Sequence, residues 1–386
     1  MSLKHMGGNF CWYVSRQSKP SLFMVVFAVL FSTVLVGLHY SYEYQIPRLQ
    51  FPRLAPDVVA EIIPKGCGCK SEKSGVSYNF CYVDPQNSSS IGTKFRCEDL
   101  KFLEKLELVD NSGPFVNLAS FSEDTPEVVF ASATSDNHFT YSRDSIRTFY
   151  NLNPNGSFIL YSLNLTDSFI DEMKAEFPKL KIRDFDTSPY PEYVTHWTEY
   201  RFKPLILAEL LRDFPNFWWL DANIHVEYGN LTETLYEEMG RLVAQDGAEK
   251  TSPIQSFVDT CHTNFPVLFP ELLTYFPTNS IPLLKDRERG LQGGANSVFY
   301  TKTRDTVEMF KWWILCALDK TCMNPPGAQI FCKFENGDRF TKFAHCFRLD
   351  SENPAKSQKS GLQSDGPARG LARPGPSSPA RRAGPG

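Results

Sequence analysis

From Glu127 onward, short apolar runs alternate with stretches whose apolar positions recur at helical spacing. Val128-Val129-Phe130-Ala131 reads as a buried strand, and after Ser132–His138 a helical stretch runs through Tyr150. Phe158-Ile159-Leu160-Tyr161 is the next run. In Asp167–Phe177 the residues Phe169, Ile170, Met173 and Phe177 then fall on one helical face. Leu180–Phe185 alternates like a strand with one solvated side. Pro204 is predicted to open a helix at its first position, where its missing N–H costs nothing. Leu205–Arg212 continues that helix, Phe214-Pro215-Asn216 ends it, and Phe217-Trp218-Trp219-Leu220 follows as a buried strand. Strands and helices in this alternation predict an α/β fold, a mostly parallel sheet with helices on both faces.

Other segments depart from that pattern. Ser21–Leu38 is uncharged and apolar throughout, and at 1.5 Å per residue it reaches roughly 27 Å, close to the ~30 Å hydrocarbon core. Lys4, Arg16 and Lys19 precede it without an acidic residue, which predicts a cytosolic N-terminus. The expected organisation is a cytosolic tail over 1–20, a signal-anchor in the lipid bilayer over 21–40, and a stem with a cysteine cluster over 41–126. A lumenal α/β domain follows over 127–354. The last segment, 355–386, is rich in Gly, Pro, Ser and Arg, lacks aromatic residues and is expected to be disordered.

Nine of the ten cysteines lie beyond the apolar run. Four fall within Cys67–Cys97 and four within Cys316–Cys346, so each cluster is expected to pair internally and leave Cys261 over. Neither cluster shows the paired spacing of a zinc site. Sequons at Asn87, Asn155, Asn164 and Asn230 are compatible with glycosylation in a lumenal setting.

The 386 residues carry 40 basic and 44 acidic side chains, a formal net charge of -4. That balance gives no basic footprint for nucleic acid. Charged residues at 22% and aromatics at 14% exclude a mainly disordered chain. No G-x-G-x-x-G, G-x-x-x-x-G-K-[ST] or G-x-S-x-G occurs, which removes dinucleotide, P-loop and serine-hydrolase readings.

Candidate chemistry concentrates after the Phe217–Leu220 strand, in Asp221-Ala222-Asn223-Ile224-His225-Val226. In open α/β sheets ligands bind beyond the carboxyl ends of strands. If the extended conformation continues, Asp221, Asn223 and His225 share one face and Ala222, Ile224 and Val226 face the core. Asp221 and Asn223 would then share a hard divalent ion, Mn2+ or Mg2+. A turn cap at Asp221 and side-chain-to-backbone bonds at Asn223 account for the same residues equally well.

The block from Tyr200 to Asn223, YRFKPLILAELLRDFPNFWWLDAN, resembles the helix and strand that carry the Asp-x-Asp motif of GT-A glycosyltransferases. It is most similar to a nematode-expanded family of lumenal type II membrane proteins with that expected fold. The resemblance takes in Ser132–His138 and Leu291–Val298 and spans roughly Glu127–Ser351. It implies a GT-A-like fold, a nucleoside-diphosphate sugar as donor, a lumenal acceptor, and a Golgi or endoplasmic reticulum membrane location. It places Ser135, Asp136 and Asn137 near the base and ribose, and Arg201 and Lys203 near the phosphates. Gly293, Gly294 and Asp350 fall on the acceptor side, with Asp350 alternatively a further metal ligand, and Asp221 and Asn223 fall on the metal. A polar turn, solvated cations and a plain bulge explain the same positions without a ligand.

Two departures bear on activity. Asn223 replaces the second carboxylate of Asp-x-Asp, and Phe347 stands where the resembling Cys-His-Arg-x-Asp segment has histidine. No residue near Gly293–Asn296 is a convincing catalytic base. A metal-dependent transferase and an inactive, transferase-like lumenal protein with a binding or structural role are therefore both expected readings.

Overall fold

The computed structural model describes residues 63–110, 113–120, 128–257 and 259–346, and the backbone of 372–374. The N-terminal tail and the Ser21–Leu38 run lie outside the described residues, as does Asp350. No helix among the described residues is long and apolar enough to cross a membrane.

A six-stranded sheet organises the molecule. In chain order its strands are β5 (Val129–Thr134), β6 (Ser157–Ser162), β7 (Lys181–Asp184), β8 (Asn216–Leu220), β10 (Ile254–Ser256) and β13 (Ser297–Thr301). Their spatial order is β10-β13-β8-β5-β6-β7. β5 runs parallel to β6 and β8, β6 parallel to β7, and β13 antiparallel to both β8 and β10. β13 alone opposes the others. The sheet is therefore mostly parallel within a mixed α/β fold.

Near-continuous apolar runs form β6, β8 and β13 because both of their faces are covered. Alternate residues feed separate cores. Val129, Ala131, Ile159, Tyr161, Phe217 and Trp219 pack with helices α4 (Phe202–Asp213) and α6 (Arg304–Leu318). Phe130, Phe158, Leu160, Trp218 and Phe299 pack on the other face with α2 (Phe139–Leu152), α3 (Asp167–Glu176) and α5 (Leu231–Asp246). The helix expected to open at Pro204 begins two residues earlier, at Phe202. Pro204 still lies in the first turn, where no intrahelical donor is needed. Trp312 and Trp313 are buried on α6.

Ahead of the sheet, β1 (Gly68–Lys70) pairs with β2 (Ser77–Asn79) and β3 (Val83–Asp84) with β4 (Asn87–Ile91), before helix α1 (Leu100–Lys105). Disulfides Cys67–Cys81 and Cys69–Cys97 pin this cap, and Cys316–Cys322 and Cys332–Cys346 close the later cluster. Both clusters pair internally. Cys261 is also disulfide-bonded, so the expectation that it is left over is corrected.

The stretch from 67 to 108 does not stand apart as a stem. Phe80, Tyr82, Phe95 and Leu103 join the core under α6, with Tyr82 and Phe95 against Phe276 and Trp312. Of the expected disordered tail, Ala372–Pro374 pairs antiparallel with β9 (Ile224–Val226); the rest lies outside the described residues.

Candidate functional site

The chain leaves β5 in two directions: toward β6 and β7 on one side, toward β8 on the other. Such a switch point opens a crevice at the carboxyl ends of the two central strands. Residues 135–138 follow β5 there, and Asp221 follows β8. Because β13 is antiparallel to β8, with Ser297 opposite Leu220, its start arrives at the same edge. The Asp221 amide donates to the Asn296 carbonyl at 2.8 Å. Three sequence-distant segments thus meet at one rim.

In the loop after β5, Asp136 and Asn137 are exposed. Asp136 Oδ1 accepts from the Thr166 amide at 3.0 Å, tying this loop to the one after β6. Ser135 Oγ donates to Asn137 Oδ1 at 2.6 Å, and His138 Nδ1 lies 2.9 Å from the same oxygen. The loop is held in shape by its own polar groups, and the exposed side of Asp136 and Asn137 faces solvent.

The extended conformation does not continue past Asp221. The Ile224 amide folds back onto the Asp221 carbonyl at 3.0 Å, so Ala222 and Asn223 form a turn and the chain becomes a strand again at Ile224. Period-2 alternation across Asp221, Asn223 and His225 is therefore broken at Asn223, which is exposed. Ile224 and Val226 do face the core. Asp221 Oδ1 accepts from Lys203 Nζ at 2.8 Å and from Trp219 Nε1 at 2.7 Å. The Lys203 side chain is 1% exposed and that of Asp221 30%, with the ammonium 5.5 Å from the Trp219 ring centroid. Trp219 precedes Asp221 by two strand positions, which puts both on the α4 side of the sheet. Its role as a donor to Asp221 was visible in the sequence only as that spacing.

Arg201 is withdrawn from the phosphate role. It is 1% exposed and spends its donors on Glu199 Oε2 (2.6 Å) and the carbonyls of Ala317, Asp319 and Lys320 (2.8, 2.8 and 3.0 Å). Ala317 and Asp319 lie at the end of α6, where carbonyls lack intrahelical partners, so Arg201 caps that end. Burial works to raise the Glu199 carboxyl, but the hydrogen bond and charge of Arg201 outweigh it and hold it below the usual range.

Gly293 ends β12 (Leu291–Gly293), which pairs with β11 (Asp259–Thr263). The Gly294 carbonyl accepts from Ser256 Oγ at 2.6 Å. Neither glycine adopts a left-handed backbone. Asn296 Oδ1, buried without a partner, sits one residue from β13 and was not anticipated. Among the sequons, Asn155, Asn164 and Asn230 are exposed and Asn87 is half-buried.

The described residues do not assemble a divalent-ion site. Both donors to Asp221 converge on one oxygen, Asn223 is neutral and turned out to solvent, and no group of three or more His, Cys, Asp or Glu among the described residues is placed to hold an ion.

A family profile described as a protein of unknown function, DUF1647, matches residues 67–208. No curated protein matches the chain. Several solved structures are similar to it. A galactosyltransferase in complex with donor and acceptor sugar analogues shares 13% identity over 50% of this chain and 70% of its own, with a TM-score of 0.29. Mouse xyloside xylosyltransferase 1 shares 9% over 49% and 72%, with a TM-score of 0.33. Core-mannan synthase A from Aspergillus fumigatus, in its Mn/GDP form, shares 12% over 66% and 78%, with a TM-score of 0.27.

Proposed function

We propose that this protein is a glycosyltransferase-like protein of the secretory lumen that binds a nucleoside-diphosphate sugar between the ends of β5 and β8 and transfers the sugar to a lumenal acceptor. The observation that carries the reading is the meeting of residues 135–138, the Asp221 turn and residues 293–296 at the switch point of the sheet. Base and ribose would lie over Ser135, Asp136 and Asn137, and the acceptor over Gly293 and Gly294. Four disulfides support an oxidising compartment, and with the Ser21–Leu38 run they support a single-pass type II protein of the Golgi or endoplasmic reticulum membrane. N-glycans are proposed at the exposed Asn155, Asn164 and Asn230.

Calorimetric titration of the full-length chain, with detergent present, against UDP- and GDP-sugars tests the donor site. Saturable one-to-one binding that weakens at least tenfold in Asp136→Ala is the expected result. Absence of binding by a folded sample overturns the reading. A second reading, donor binding without turnover, is favoured by the neutral, exposed Asn223. Release of nucleoside diphosphate in the presence of an acceptor library separates the two.

A further inference from the structure

Tyr200 is a strained residue at the crevice end of the sheet that the proposed function leaves unused. Helix α4 leads into β8 through residues 214–215 alone, so its first turn lies at the carboxyl end of that strand, where Lys203 reaches Asp221. Tyr200 stands just ahead of this turn, and its carbonyl accepts from the Lys203 amide at 3.1 Å. Its own amide donates to the Trp197 carbonyl at 3.2 Å and closes the short turn Trp197–Glu199. The backbone there is left-handed, with φ 56° and ψ 17°. That conformation crowds Cβ against the following carbonyl, a cost glycine avoids. Among the described residues, Tyr200 is the only phenylalanine, tyrosine or tryptophan held this way. Such strain gathers at ligand sites. The residue is 41% exposed. Beside it lies the buried Phe202, with ring centroids 6.2 Å apart, and Trp197 meets Phe202 edge-on at 5.7 Å. The Tyr200 ring is thus braced by aromatic neighbours while part of it meets solvent.

We infer that Tyr200 is a sugar-binding residue of the donor crevice, its ring carrying the C–H face of the donor's sugar. This rests on the donor-site reading above. A pyranose has hydroxyls along its edge and C–H groups on its faces, so an aromatic ring can cover a face while the edge keeps its hydrogen bonds. The loop proposed to meet base and ribose, residues 135–138, runs into α2 on one face of the sheet. Tyr200 precedes α4 on the other face, next to Lys203. A ligand that starts on the first and crosses the switch point therefore brings its sugar, and not its base, to Tyr200.

The test is calorimetric titration of the full-length chain in detergent with UDP-glucose, UDP-galactose and GDP-mannose, against bare UDP and GDP. For each sugar nucleotide that the wild type binds, Tyr200→Ala and Tyr200→Gly should raise Kd about fivefold or more, with Kd for the matching bare nucleotide held within about twofold. Tyr200→Phe keeps the ring and should leave both values within about twofold of wild type. Tyr200→Gly should melt no lower than Tyr200→Ala, because glycine takes the left-handed backbone without crowding. Sugar-nucleotide binding unchanged in the Ala and Gly variants, or bare nucleotide weakened as much, overturns the inference and leaves the donor site standing. A loss in Tyr200→Phe as large as in Tyr200→Ala also overturns it, by moving the contact from the ring to the hydroxyl. A Gly variant that melts below the Ala variant removes the strain on which the inference stands. Failure of folded wild type to bind any of these nucleotides removes the donor site, and the inference with it.

Discussion

Arg201 donates to the carbonyls of Ala317 and Asp319, each at 2.8 Å, and so ties the first turn of α4 to the last turn of α6. Both helices cover one face of the sheet, so this guanidinium closes that layer. Arg201→Met should destabilise the chain by about 3 kcal/mol, because it leaves buried carbonyls and Glu199 without their donor. Arg201→Lys should recover only part, since an ammonium cannot reproduce the forked geometry. Denaturant unfolding of the three proteins checks the order.

Asp99 supplies a pH signature. Burial pushes its carboxyl up to about 6 against the opposing pull of Arg96, whose Nη2 lies 2.9 Å away. The folded-state value lies above the ordinary one of 3.8, so the folded chain holds this proton more tightly than the unfolded chain does. The stability it confers is full below about pH 4 and is lost as pH rises through about 6. Asp99→Asn should remove that decline. Melting temperatures of both proteins across about pH 4–7 read it directly.

Gly92 sits where the disulfide-pinned cap meets the body. A Cβ there would come within 1.9 Å of the Tyr275 carbonyl oxygen, and the neighbouring Thr93 amide donates to the Thr274 carbonyl at 2.8 Å. Gly92→Ala should cost about 1–3 kcal/mol or more, because backbone and not a flexible side chain must give way. Limited proteolysis of the 67–108 region should accelerate in step.

The disulfides should rank by the length of chain they enclose. Cys69–Cys97 spans 28 residues and Cys316–Cys322 only six. Loop entropy puts their contributions at roughly 3.5 and roughly 2 kcal/mol. Paired Cys→Ala variants, compared by denaturant unfolding, should lose stability in that order.

Strands β6 and β8 were legible because each is an unbroken apolar run. Phe158–Tyr161 and Phe217–Leu220 could be nothing exposed, and helical spacing at Phe169, Ile170, Met173 and Phe177 located α3 to within a residue. What stayed hidden depends on partners far along the chain. Phe80 and Phe95 show no periodicity, and only residues such as Tyr275, Phe276 and Trp312 make them core. Arg201 and Lys203 read alike in sequence, yet one meets carbonyls at the end of α6 and the other a carboxylate at the end of β8. The turn at Ala222 and Asn223 was invisible to alternation, since a polar turn and a solvated strand face carry the same residue types there.

The opposed direction of β13 has a consequence for divergence. Between β11 and β12 the chain makes an excursion over residues 264–290, and both ends of it are clamped in paired strands. Its buried residues, Phe265, Leu272, Tyr275 and Phe276 among them, belong to the same core as Phe80 and Phe95, so only its exposed positions can be exchanged without disturbing the cap.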